Sequence, residues 1–84
     1  MIYYMKNWHD ELCKLLQQRG ISLKRIAGEQ IFVHFEVVYD GEIVRCAIYE
    51  HLFPETLLEL CDTIENMVIA TINLRAALDA YNEL

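Results

Sequence analysis

Pairs of histidine and cysteine are the first candidates for chemistry in this sequence. His9 and Cys13 are four residues apart, a spacing that places two potential metal ligands on one side of a helix. No further cluster of cysteine and histidine lies nearby, whereas a structural zinc site needs four ligands. We therefore favour a structural role for this pair, and we expect neither a metal site nor a cofactor.

Cysteine catalysis is the second possibility. A nucleophilic cysteine needs a neighbouring base or a helix N-terminus that lowers the pKa of its thiol. The pattern places Cys13 and Cys61 within helices and Cys46 on the buried face of a strand, with His34 on the opposite face. Small buried hydrophobic residues are the usual role of free cysteines. We therefore expect no catalytic residue, and an enzyme is the least favoured functional class.

Carboxylates near the start of the C-terminal helix form a third candidate, which we name the acidic ridge. It consists of Glu55, Glu59, Asp62 and Glu65. Acids at a helix N-terminus are stabilised by the helix dipole, so a solvated face without a partner is one interpretation. The functional interpretation is a ridge that binds a basic groove of another protein, since opposite charge speeds association.

Aromatic residues on a predicted sheet form the fourth candidate. Phe32, His34 and Tyr49 fall on the face that points away from the predicted core. An exposed apolar patch of this kind usually marks a partner site, although a helix of the same chain can also cover it. We therefore predict a partner-binding sheet face, with burial by the chain's own helix as the alternative.

Two segments before the main hairpin must position these groups. Residues 3–19 are predicted to form an amphipathic helix that ends at Gly20, because apolar residues recur at helical spacing. These apolar residues are Met5, Trp8, Leu12, Leu15 and Leu16. Residues 21–26 alternate less clearly, and we predict a short edge strand there.

The clearest local signal is a β-hairpin. Residues 30–39 and 42–49 are rich in β-forming side chains, and Asp40 and Gly41 between them suit a type I′ turn. Pairing Tyr39 with Glu42 places Glu36 opposite Arg45, an opposite-charge pair that supports this register. The same register predicts a core face made of Ile31, Val33, Phe35, Val37, Val44, Cys46 and Ile48.

A long helix is predicted from about Pro54 to the C-terminus, because no glycine or further proline follows. Its ~30 residues would extend ~45 Å, well beyond the ~24 Å diameter of a domain of this size. The helix must therefore break, overhang or find a partner, and the apolar stripe changes direction between Asn66 and Thr71. A kink there, or a second packing surface, would explain that change.

The second half of this helix is nearly apolar all round from Met67 to Ala80, which predicts burial on several sides. One apolar face of it is a candidate oligomer interface. This face consists of Ile69, Ile72, Ala76 and Ala80.

These elements predict one domain over residues 1–84, of the α+β class and the order αβββα. It has an N-terminal helix, an antiparallel meander of two to three strands with an Asp-Gly hairpin, and a long or kinked C-terminal helix. Hydrophobic residues make up 55% of the chain, and only three glycines and one proline occur, which excludes a disordered chain.

Charge narrows the function classes further. The net charge is −6, and residues 40–84 contain nine acids and two bases. This field repels phosphate backbones and anionic lipid, so direct binding to nucleic acid or a membrane is not expected. Three cysteines without a CxxC pair, no signal peptide pattern and no long apolar run predict a cytoplasmic protein with reduced thiols.

In its size, acidity and αβββα order, the chain resembles the small inhibitors encoded by phages and mobile elements, such as anti-CRISPR proteins that occupy the DNA-binding surface of a CRISPR effector. This resemblance implies a protein-binding module that covers a basic surface of its partner, and it assigns no site residue. The alternative is a homodimeric structural, regulatory or toxin-neutralising protein that assembles through its C-terminal helix.

Overall fold

The computed structural model describes residues 6–83 and has the predicted αβββα order. Its elements are α1 (Trp8–Gln17), β1 (Ile21–Glu29), β2 (Phe32–Tyr39), β3 (Glu42–Tyr49) and α2 (Leu57–Asn82). The strands form one antiparallel sheet in the order β1-β2-β3. Both helices pack on the same face of the sheet, because their buried leucines share one core with the alternate residues of β2 and β3. The α+β class is therefore confirmed.

The β2–β3 hairpin follows the predicted register. Asp40 and Gly41 have φ values of 50° and 77°, and positive φ at both central residues is typical of a type I′ turn. Tyr39 pairs with Glu42. Farther along the hairpin, Glu36 lies opposite Arg45, and their side chains are joined by a hydrogen bond of 3.1 Å. Turn chemistry and cross-strand charge thus set the same register.

The first strand is longer than predicted, since it extends from Ile21 to Glu29 rather than ending at residue 26. The pairing of β1 with β2 shifts between Leu23 and Arg25, so Lys24 forms a bulge. This extra residue interrupts the alternation of apolar and polar residues from which the length of a strand is inferred. The turn that follows contains Gln30, whose φ is 54°.

The placement of Ile31 on the core face was wrong. Ile31 lies in the turn before β2 begins at Phe32, and its side chain is 54% exposed. Its carbonyl oxygen accepts a hydrogen bond of 2.7 Å from the backbone N–H of Glu50. Its backbone therefore links the turn to the segment after β3, while the other predicted core-face residues are buried. These are Val33, Phe35, Val37, Val44, Cys46 and Ile48.

The first helix is shorter than predicted at both ends. The predicted start at residue 3 lies outside the described residues, and the chain enters α1 at Trp8 after a turn. The helix ends at Gln17, and Gly20 takes the left-handed conformation with a φ of 75°. Within the described residues the predicted stripe is confirmed, because Leu12 and Leu16 are fully buried and Trp8 and Leu15 are half-buried, while Met5 lies outside the described residues.

The long helix α2 begins at Leu57, three residues after the predicted start at Pro54. The hydroxyl of Thr56 accepts a hydrogen bond of 3.1 Å from the backbone N–H of Glu59, which caps the first turn. From there the helix continues without a break to Asn82. One stripe of its first half is buried against the sheet and α1. The buried residues are Leu60, Cys61, Ile64 and Val68.

Beyond Val68, α2 extends past the core, and we name residues 69–82 the arm. A helix of 26 residues is about 39 Å long, whereas strands of eight residues reach about 26 Å. The longest dimension of the described protein is 50 Å for this reason. The prediction that Met67 to Ala80 is buried on several sides was wrong, because no residue of the arm is buried.

Candidate protein-binding surfaces

The acidic ridge is divided by the start of α2. Glu59, Asp62 and Glu65 belong to the first turns of the helix, whereas Glu55 precedes the capping residue Thr56 and lies outside it. Glu55, Glu59 and Asp62 are exposed and Glu65 is half-buried. The prediction of a ridge along one helix therefore needs correction at Glu55, which contributes from the connecting segment.

Arg19 neutralises one side of the ridge. Its guanidinium lies 2.6 Å from a carboxylate oxygen of Asp62 and 3.6 Å from one of Glu65. The hydrogen bond to Asp62 raises the pKa of Arg19. Within residues 6–83, Glu55 and Glu59 have no such ion pair. The carboxylates available to a basic partner are therefore chiefly Glu55 and Glu59.

The ridge continues into an apolar surface along the same helix. We name this surface the outer face of α2, and its exposed residues follow one another at helical spacings of four and seven. They are Leu58, Asp62, Ile69, Ala76 and Ala80, with Glu59 and Glu65 on its flanks. The face is about 33 Å long, since 22 residues separate its ends. Acids thus occupy one end of the outer face and apolar side chains the other.

The predicted oligomer interface lies on the arm but is not uniform. Ile69, Ala76 and Ala80 are exposed, whereas Ile72 is half-buried and packs against the chain's own core. A second apolar surface of the arm was not predicted as a site, although its residues belong to the apolar stripe that changes direction along the helix. Leu74, Leu78 and Tyr81 are 60%, 52% and 73% exposed.

The sheet face opposite the helices is open, as far as residues 6–83 are concerned. The rings of Phe32 and Tyr49 lie 4.3 Å apart, and the ring of His34 lies 5.9 Å from that of Phe32. Tyr49 is 41% exposed, and both helices lie on the other side of the sheet. The three residues of the predicted sheet-face site are therefore neighbours, and neither helix covers them.

A shallow pocket of about 180 Å³ lies beside these rings on the open face. Arg25, Glu29, His34 and Arg45 contribute to its lining. Pockets for small molecules are usually about 300–1,000 Å³. A depression of this size and mixed charge suits a side chain of a protein partner better than a small-molecule substrate.

The thiols of Cys46 and Cys61 are buried rather than activated, and Cys13 is half-buried within α1. Burial raises the pKa of the Cys46 thiol to about 11, and burial also raises the pKa of Cys61. A catalytic thiol requires the opposite shift. Among the described residues, no three side chains of histidine, cysteine, aspartate or glutamate are grouped closely enough to hold a metal ion.

No protein-family model, curated protein or solved structure matches the chain. Within residues 6–83, no helix is both long enough and apolar enough to cross a membrane. The functional interpretation therefore depends on the exposed surfaces of α2 and of the sheet.

Proposed function

We propose that this chain is a protein-binding module that inhibits its partner by covering a basic, nucleic-acid-binding surface. One observation carries this proposal: the outer face of α2 combines exposed carboxylates at one end with Ile69, Ala76 and Ala80 at the other. Both parts lie on one rigid helix, so a single partner surface can contact them together. Small inhibitors of phages and mobile elements, including anti-CRISPR proteins, are the class that this interpretation resembles.

The two ends of the outer face have different roles in this proposal. Glu59 at the acidic end, together with Glu55 in the segment before the helix, attracts a basic surface at long range, which speeds the encounter. Apolar contact at Ile69 then slows dissociation, because binding energy in protein interfaces is concentrated in a few well-packed side chains. Phe32, His34 and Tyr49 on the open sheet face form a separate contact surface in the same proposal.

Charge reversal tests this proposal without disturbing the core. The Glu55→Lys, Glu59→Lys variant leaves the pairing of Arg19 with Asp62 intact, unlike any substitution of Asp62 itself. The Asp10→Lys, Glu11→Lys variant is the matched control, because it makes the same change of charge at the exposed first turn of α1. Circular dichroism verifies that both variants fold.

The measurement is capture of partners from bacterial lysate on immobilised protein, followed by elution with a double-stranded DNA oligonucleotide. We expect wild type and the α1 control to retain a partner that the oligonucleotide displaces. For that partner, the ridge variant should associate about 10-fold more slowly. Equal association by the folded ridge variant would exclude the ridge as the contact, and a partner that DNA does not displace would exclude a nucleic-acid-binding surface.

A further inference from the structure

A seven-residue repeat extends from the core of the protein along the whole arm. Its residues are separated alternately by four and three positions: Leu60, Ile64, Met67, Thr71, Leu74, Leu78 and Tyr81. This is the spacing by which one helix packs against another in a coiled coil. Leu60 and Ile64 use it within the chain's own core, where both are fully buried. We name its second part, from Met67 to Tyr81, the heptad row. Met67 packs partly against the chain's own core and Thr71 is half-buried, whereas Leu74, Leu78 and Tyr81 are exposed.

The heptad row is suited to contact with another helix. None of its side chains is charged, and the hydroxyl of Thr71 donates a hydrogen bond of 2.7 Å to the carbonyl oxygen of Met67. That bond satisfies the hydroxyl and leaves the methyl group of Thr71 for packing. Ala70 and Ala77 flank the row on one side. Their small side chains allow a second helix to approach closely, since the distance between helix axes depends on the residues at the contact.

Charge indicates which face of α2 two copies of the chain could share. Each copy of the chain has a net charge of −6, so two copies repel each other over most of their surface. The outer face of α2 contains acids and would place like charges together. The heptad row contains no charge, and on its other flank Arg75 is engaged by the carbonyl oxygen of Ile43 at 2.9 Å and by Glu42 at 3.9 Å. Two copies can therefore meet along the row without bringing like charges together.

We propose that the heptad row of one chain packs against the heptad row of a second copy to form a homodimer. The row spans about two heptads, which is shorter than the three to four heptads of a self-sufficient coiled coil, so we expect a weak dimer that forms only as the concentration rises. The outer face lies nearly half a turn, about 160°, around the helix from the row and stays accessible in the dimer. This proposal is therefore independent of the proposed binding to a basic partner.

Sedimentation of the full chain across the micromolar range tests the proposal. We expect wild type to change from a mass of 9.9 kDa to twice that value as the concentration rises. Leu74→Asp with Leu78→Asp should raise the dissociation constant by about 100-fold or more, because each copy would bury carboxylates. The matched control is Ala76→Asp with Ala80→Asp on the outer face of the same arm, which should leave the dissociation constant within a few-fold of wild type.

Two outcomes would overturn the proposal. One is a wild type that stays at 9.9 kDa at every concentration. The other is dissociation by the outer-face control but not by the row variant, which would assign the interface to the face that contains Ile69, Ala76 and Ala80. The first outcome leaves the proposed binding to a basic partner untouched, whereas the second would place the dimer interface on the apolar end of the outer face, which the proposed function assigns to that partner.

Cross-linking provides a second measurement that does not depend on introducing charge. Leu74→Cys with Leu78→Cys in a Cys13→Ser background places thiols on the row, while Cys46 and Cys61 remain buried. Mild oxidation should yield a covalent dimer whichever direction the partner helix takes. Ala76→Cys with Ala80→Cys is the control and should stay largely monomeric. Equal cross-linking of the two variants would contradict the proposal.

Discussion

The two halves of α2 form one continuous helix but have opposite surroundings. Between Leu57 and Val68, a full stripe of side chains is buried against the sheet and α1. In the arm, Leu74 and Leu78 are more than half exposed although they are as apolar as the buried leucines. Apolar composition therefore indicates that a helix has a contact to make, but it does not indicate whether that contact lies within the same chain.

The residues that follow the buried stripe explain where the core ends. If the stripe continued past Val68 at helical spacing, it would pass the half-buried Thr71 and Ile72 and then reach Arg75, Asp79 and Asn82, all of which are polar. From Arg75 onward, the side of the arm that faces the protein body is thus polar, while the exposed apolar residues of the arm face elsewhere. This difference within one helix identifies the arm as a contact element rather than an extension of the core.

The largest expected effect is the loss of folding stability when an apolar side chain of α2 is truncated. This loss should be large in the first half of the helix and small in the arm. Ile64→Ala should lower the free energy of unfolding by about 2–5 kcal/mol, because Ile64 is fully buried and its removal leaves a cavity. Leu74→Ala should change it by less than about 0.5 kcal/mol in dilute protein, because that side chain is exposed. Urea denaturation measures both. Similar losses for the two variants would mean that the arm is covered in the monomer, which would contradict the contrast between the two halves of α2.

The second prediction concerns the core beneath the first half of α2. The Cys46 thiol ionises near pH 9 in the unfolded chain, but burial raises its pKa to about 11 in the folded protein. The folded state therefore binds more protons than the unfolded state between these pH values. The contribution of the Cys46 thiol to the free energy of unfolding is fully present below pH 9 and is lost as the pH rises toward 11. A shift of this size corresponds to roughly 2–3 kcal/mol.

The measurement is the free energy of unfolding as a function of pH in wild type and in Cys46→Ala. Tyrosine ionisation occurs in the same range but is common to both proteins. The variant should have a shallower decline above pH 9. Parallel curves would show that the thiol titrates alike in both states.

A thiol in the arm, introduced by Leu78→Cys, should react rapidly with Ellman's reagent, whereas Cys61 in the buried half of α2 should react only on unfolding.

Local patterns in the sequence predicted the parts of the fold that are determined by residues close together in the sequence. The Asp-Gly turn and the alternation of β2 and β3 were sufficient for the register of the hairpin, because both act over a few residues. The bulge at Lys24 and the turn at Ile31 depend on pairing between strands, and no short pattern signals them. The length of β1 and the exposure of Ile31 were therefore missed.

The candidate surfaces were predictable only in part. The acids of the ridge and the rings of the sheet face could be placed on their faces from periodicity. The contact of Arg19 with Asp62 joins residues 43 positions apart, so the partial neutralisation of the ridge appears only once α1 and α2 are packed together. The heptad row was present in the sequence, but the assumption that the arm is buried concealed it.

The smallest predicted effect concerns the contact between the arm and the edge of the sheet. Arg75 donates a hydrogen bond of 2.9 Å to the carbonyl oxygen of Ile43, on the edge strand β3. Because this contact is exposed, Arg75→Ala should change the free energy of unfolding by less than about 1 kcal/mol. Backbone amides of the arm should nevertheless exchange with deuterium several-fold faster, while those of residues 60–68 should not change.

Arg75→Lys is the matched control, since it keeps the positive charge near Glu42, which lies 3.9 Å away, but loses the guanidinium geometry. If the hydrogen bond to Ile43 holds the arm, Arg75→Lys should accelerate exchange almost as much as Arg75→Ala. If attraction to Glu42 is sufficient, Arg75→Lys should behave like wild type. Faster exchange throughout α2 in either variant would contradict the division into two halves, because opening of the arm would then open the core as well.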